Sequence, residues 1–182
     1  MSVSHYYHPF YCEENLWWWC NSLSSDALDQ AYVLIVSNNE RRAAVGLQRL
    51  GKPPGDFMVW DYHVVGLLRS ATESKLVDFD TSVESTTMDA QWWFNTQERL
   101  LELVVEDYHP RFRPIPARHY LNEFSSSRRH MLGADGHYIH PVPAWPCIVS
   151  ESKRLKEVES LLVSDAAEGW HSLSSLKTEL GF

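Results

Sequence analysis

The spacing of apolar positions changes along the chain, and each change marks an element. Cys12, Leu16, Trp19 or Cys20, and Leu23 recur at helical intervals, so a helix is predicted from about Cys12. Glu13 and Glu14 stand in its first turn, where acidic groups complement the helix dipole. Ser24-Ser25-Asp26 reads as a break. Ala31 to Val36 is a compact apolar run closed by Ser37-Asn38-Asn39, which predicts a buried strand and a turn. Two prolines and two glycines make Gly51 to Asp56 a loop. Residues 57 to 69 and 75 to 81 read as two strands joined by a short turn. Thr87 or Asp89 caps a predicted helix to about Val105, with Leu100, Leu101 and Val104 on its apolar face. After Pro110, Pro114 and Pro116 come a short helix over 117–124, a Gly- and Pro-rich loop over 132–148, and short helices near 152–163 and 172–180. The irregular residues 1 to 11 precede all of these. Strands cluster in the middle with helices around them, so the expected class is α+β, an antiparallel sheet flanked by helices. With no repeat or linker in its 182 residues, the chain is expected to form one domain, residues 1–182.

Composition narrows the partners. A hydrophobic share of 44% against 22% charged is the balance of a folded chain rather than a disordered one. Net charge is −8, and Arg41-Arg42 and Arg128-Arg129 are too short to track a phosphate backbone, so no nucleic-acid partner is expected. No apolar run reaches the length of a bilayer span, so no membrane association is expected. Three cysteines, Cys12, Cys20 and Cys147, and no apolar leader favour free thiols in a reducing compartment, the cytoplasm and with it the nucleus. No coiled-coil pattern is present, and a monomer is expected.

Candidate chemistry sits on the helix start and the central hairpin. Side chains alternate along a strand, so Asp61 and His63 share a face. A turn over Ala71 to Ser74 brings Asp80 nearest His63. A tighter closure at Ser70-Ala71 brings Asp78 opposite it, and spacing does not choose between the two. A carboxylate beside histidine fixes its tautomer, and a cysteine at a helix start near that histidine is expected to have a lowered pKa. Each residue also has a plainer reading. A helix cysteine is commonly a small buried hydrophobe, a strand histidine a structural residue, and edge carboxylates a solvated guard against strand pairing.

Around these residues the chain resembles the protein N-terminal glutamine amidohydrolases. The resemblance rests on Tyr11-Cys12-Glu13-Glu14-Asn15, on Trp60-Asp61-Tyr62-His63-Val64-Val65 and on Asp78-Phe79-Asp80-Thr81. It continues through Pro110-Arg111-Phe112-Arg113, Tyr120-Leu121, Phe124, Arg128, His130-Met131, Pro146-Cys147-Ile148 and Gly169-Trp170. Ser127 departs from it, standing where an aspartate is expected. The resemblance implies a papain- or transglutaminase-like core. It implies deamidation of the side chain of an N-terminal glutamine through a cysteine thioester, without cofactor, as a step in degradation governed by the N-terminal residue. The catalytic residues it implies are Cys12, His63 and Asp78. A free α-ammonium on the substrate needs a carboxylate partner, and Glu14, Asp61 and Asp80 are the candidates.

Rival readings are another cysteine acyl-transfer enzyme, such as a peptidase or transglutaminase, and a non-catalytic module that binds N-termini. His5/His8 and His137/His140 with Cys147 form a weak metal pattern lacking Cys-x-x-Cys or His-Glu-x-x-His, and no metal is expected.

Overall fold

A computed structural model describes residues 6–53, 56–150 and 169–182. The helix predicted at 152–163 and His5 lie outside the described residues. Helix α1 spans Cys12–Ser22 and a short α2 spans Ser25–Asp29. Ser24-Ser25-Asp26 begins α2 rather than a break: Ser24 caps the turn by accepting from the Ala27 N–H at 3.3 Å. Strands β1 (Ala31–Ser37), β2 (Ala43–Val45), β3 (Met58–Trp60), β4 (His63–Leu68), β5 (Lys75–Val77) and β6 (Thr87–Asp89) follow. Helix α3 (Ala90–Leu101), a 3-10 turn (Glu106–Tyr108), β7 (Arg111–Pro116), α4 (Ala117–Glu123), a second 3-10 turn (Arg129–Met131) and the Leu173–Leu180 helix complete the described elements. Asp89 caps α3 through the Trp92 N–H at 2.7 Å. That helix stops at Leu101, short of Val104, as the Leu103 N–H bonds back to the Leu100 carbonyl and closes a turn.

Five strands form one antiparallel sheet in the order β6-β5-β4-β1-β7, and β2-β3 form a separate pair. Helices cover both faces of the large sheet. On one side Leu16, Trp19 and Cys20 of α1 join Val33, Ile35 and Val64, with Ala117 and Tyr120 of α4. On the other, Trp93 and Phe94 of α3 and Leu173, Leu176 and Leu180 join Leu34, Val65, Leu67 and Leu76. The architecture is therefore α+β with an antiparallel sheet between helical layers, as the hydropathy pattern implied. Gly66 lets α1 approach β4: a Cβ there would stand 2.7 Å from the Trp19 ring and 2.9 Å from Leu16.

The hairpin differs from both expected registers. Leu68 pairs with Lys75 and Gly66 with Val77, midway between the two alternatives. The predicted strand over 57–69 is also two strands in different sheets. Asp61 breaks it, its carboxylate taking the Tyr62 N–H at 2.9 Å. Asp61 and His63 therefore do not share a strand face. The second predicted strand ends at Val77, and Asp78 to Thr81 leave the sheet as a turn.

Candidate active site

Four successive residues at the start of α1 are buried, although three of them are polar: Cys12, Glu13, Glu14 and Asn15. Each goes somewhere different. Asn15 exchanges two 2.9 Å hydrogen bonds with the backbone of His8 and ties down the segment that enters the helix. Glu14 accepts from Arg128 Nε at 2.8 Å and from its terminal nitrogen at 2.7 Å, and from Trp145 Nε1 at 2.6 Å. Glu14 was a candidate for the substrate's ammonium. Its two oxygens are instead committed to these partners, which fasten the loop over 125–148 above the helix start. Arg128 adopts the left-handed conformation, with φ at 57°, to bring its fork onto Glu14.

Cys12 lies at the first position of α1 and reaches a cleft of about 180 Å³. Phe10, Trp60, Asp61, Tyr62 and Asp80 also line it, and His130, Met131, Ile139 and His140 from the fastened loop complete its wall. The Cys12 thiol points to Glu13, at 3.6 Å, and the Val64 N–H lies near enough to favour its thiolate form. Burial pushes its pKa well up, and the carboxylates of Glu13 and Asp80 add to that. The expected lowering does not occur, because desolvation and two nearby negative charges outweigh the helix start and the Val64 donor.

His63 opens β4 and is fully buried. Its Nε2 bonds to Asp78 Oδ1 at 3.0 Å. Its Nδ1 is buried without a hydrogen-bond partner, so no hydrogen bond joins sulfur to imidazole in this arrangement. Burial alone would lower the imidazole's pKa, but the charge and hydrogen bond of Asp78 overcome it and the net shift is upward. For Asp78, burial works upward, yet His63 and further hydrogen-bond donors hold its carboxyl below the usual range. Those donors are the Asp80 N–H onto Oδ1 at 3.0 Å and Gln48 Nε2 onto Oδ2 at 2.8 Å.

Asp80 accepts from the Tyr7 hydroxyl at 2.8 Å through Oδ1, while Oδ2 has no hydrogen-bond partner. Burial raises its pKa in spite of His63, Tyr7 and Arg49 nearby. Asp61 sits at the mouth, its side chain 60% exposed and 3.6 Å from Arg41. Thus Cys12, Asp61 and Asp80 line one cleft, while His63 and Asp78 are fully buried and adjoin it through Trp60, which lines the cleft and stacks on His63; Glu14 is apart.

Two contributors were not picked out from the sequence. Trp60 lays its ring on His63, 5.2 Å between centroids and 14° from parallel. Gln48, in a short bridge to Thr81, holds both Asp78 and Trp60. A glutamine in a loop carries no local signal of that pairing. The histidines of the weak metal pattern have other contacts: His8 Nε2 bonds to the Pro141 carbonyl at 2.7 Å and His140 stacks on Phe10. No group of three His, Cys, Asp or Glu residues among the described residues could hold a metal ion, and no described helix is long and apolar enough to cross a membrane.

The family model for N-terminal glutamine amidase matches residues 7–178. The proteins named protein N-terminal glutamine amidohydrolase from Drosophila melanogaster, Drosophila erecta and Drosophila virilis are each 37% identical over 150 residues, covering 80% of this chain and 73% of theirs. With the model match spanning nearly all of the sequence, this chain belongs to the N-terminal glutamine amidase family.

Proposed function

We propose that this chain removes the side-chain amide of an N-terminal glutamine, giving N-terminal glutamate and ammonia. The observation that supports the reading is a cleft lined by a thiol at a helix start and by Trp60, which stacks on a buried imidazole whose Nε2 is held by a carboxylate. Nucleophilic acyl transfer needs those three groups in that order. The same arrangement, a nucleophile on a helix packed against an antiparallel sheet that supplies the base, supports a papain- or transglutaminase-like core.

In the mechanism, the Cys12 side chain swings from Glu13 to the open Nδ1 of His63. The thiol proton passes to Nδ1 as sulfur attacks the δ-carbonyl carbon. Asp78, on Nε2, stabilises the imidazolium that forms. The oxyanion meets backbone N–H groups at the start of α1, including that of Cys12. The imidazolium then returns its proton to the departing amide nitrogen, ammonia leaves, and a γ-glutamyl thioester remains. Water attacks the thioester, gives its proton to His63, and frees the glutamate side chain and the thiol. The upward shift of the Cys12 thiol fits this route, since the proton moves only as the carbon–sulfur bond forms.

Asp80 reads the substrate's α-ammonium. It is a buried carboxylate on the cleft wall, and a cation beside it offsets the burial of its charge. Asp61, exposed at the mouth, contributes attraction at longer range. The substrates are proteins and peptides with a free N-terminal glutamine, and the product enters degradation that depends on the N-terminal residue. A reducing compartment suits the free thiol.

The test is ammonia release from matched peptides beginning with Gln, Asn and acetyl-Gln. Release is expected from the first only and is expected to vanish in Cys12→Ala. Equal rates on the free and acetylated peptides would end the ammonium reading, and turnover by Cys12→Ala would end the mechanism.

A further inference from the structure

Gln48 is 1% exposed and lies in none of the named strands. Its amide is fully engaged. Nε2 donates to Asp78 Oδ2 at 2.8 Å and to the Gly46 carbonyl at 3.2 Å. Oε1 accepts from Trp60 Nε1 at 3.1 Å. These partners dictate which end of the amide is which. The Asp78 carboxylate can only accept and the indole N–H can only donate, so the bridging group must do both.

The two groups that Gln48 holds are the ones that confine His63. Asp78 fixes the imidazole within its plane through Nε2. Trp60 covers its face at 5.2 Å. Both restraints therefore pass through one side chain. Trp60 also forms part of the cleft wall, whereas His63 does not. We infer that Gln48 is a positioning residue for the proposed amidase reaction: its amide ties the carboxylate behind His63 to the tryptophan lid above it, and so aims Nδ1 at the Cys12 thiol. This rests on the assignment of Cys12, His63 and Asp78 made above.

Loss of the amide leaves Asp78 Oδ2 buried with one donor fewer. The pair then favours a proton on Asp78 over an imidazolium on His63, because a hydrogen bond to the charged form is what sustains that form. Imidazolium is the state that sulfur needs as it gives up its proton. Gln48→Leu, which keeps the bulk and removes both polar ends, is expected to lower kcat for ammonia release at least tenfold while KM stays within about twofold. Gln48→Glu is the near-isosteric partner. Protonated, the introduced acid still donates to Asp78 and accepts from Trp60. Ionised, it sets a like charge against Asp78. Its activity relative to the parent is expected to be nearest to one at acid pH and to fall as pH rises.

The experiment measures ammonia release from a Gln-initiated peptide over pH 5 to pH 9 for the parent, Gln48→Leu and Gln48→Glu. In parallel, alkylation of Cys12 by iodoacetamide is followed on its own peptide by mass spectrometry. Alkylation needs no substrate, so it reports on Gln48 even if the parent releases no ammonia, an outcome that would sink the amidase reading instead. Support is slower Cys12 alkylation in Gln48→Leu together with the pH-dependent deficit in Gln48→Glu. If Gln48→Leu does not fold by near-ultraviolet circular dichroism, the pH signature of Gln48→Glu decides. Parental rates in both variants, or an equal loss in Gln48→Glu at every pH, would overturn the inference and leave Gln48 a packing residue.

Discussion

Replacing Arg128 by Met leaves Glu14 as a buried carboxylate without its cation. In the intact chain the Glu14 side chain is 0% exposed and that of Arg128 is 6%. The substitution removes two hydrogen bonds to the carboxylate and a third from Arg128 to the Trp145 carbonyl at 2.9 Å. Only the Trp145 indole then remains on the carboxylate. Breaking a buried pair from one side costs about 3–5 kcal/mol. A domain of this size has on the order of 5–15 kcal/mol in total, so Arg128→Met is expected to lose a large part of its stability. The assay is urea unfolding followed by the fluorescence of the eight tryptophans. The midpoint should fall with the slope unchanged. The loss should shrink as pH falls, because a stranded buried carboxylate is relieved by taking up a proton. A double variant, Glu14→Leu with Arg128→Met, should recover most of the loss, since apolar pairs often replace buried ion pairs without penalty. A single variant within about 1 kcal/mol of the parent, or a double variant no better than the single, would refute the reasoning.

Other consequences can be checked directly. Asp80→Asn should raise stability at neutral pH, because a carboxylate whose folded pKa is raised opposes folding once ionised; the same variant should lose kcat/KM on Gln peptides, and thermal melts beside ammonia assays would show both. Gly66→Ala should destabilise by about 1–3 kcal/mol, since its methyl meets Trp19 and Leu16 in a closed core; an unchanged urea midpoint would contradict that packing. The His63–Asp78 pair should contribute most to stability between about pH 4 and pH 6.5. Asp78 has a depressed folded pKa, so its share is lost as pH falls through that value. His63 has a raised one, so its share is full below the unfolded value and lost as pH rises through the folded one. Unfolding of Asp78→Asn against the parent across pH should therefore show its widest gap in that window.

What could be read from the sequence was largely local. The periodicity from Cys12 to Leu23 located α1, the apolar run from Ala31 located β1, and Asp89 was one of two capping candidates for α3. Each depends on neighbours a few positions away. The existence of the hairpin was legible too, from two apolar runs either side of a polar turn. The particular register was not, since the turn can absorb a residue on either side. Pairings at long range were invisible. Glu14 meets Arg128 across 114 positions and Gln48 meets Asp78 across 30. Glu13 and Glu14 read as first-turn partners of the helix dipole, with Glu14 also a candidate for the ammonium, and nothing nearby in sequence announces that both are buried. The direction of the Cys12 shift failed for the same reason. It depends on how deeply the thiol is enclosed and on Asp80, which arrives from another part of the chain.

The first turn of α1 has a practical implication. Sulfur, a carboxylate beside it, a carboxylate that anchors a distant loop, and an amide that staples the entering strand of chain occupy adjacent positions. A survey of every substitution there, scored by growth or by total activity, would record one uninterrupted block of intolerance and credit it all to chemistry. Only a screen that counts surviving molecules separately from what each molecule achieves would separate the proposed nucleophile from neighbours such as Glu14 and Asn15 that hold the scaffold.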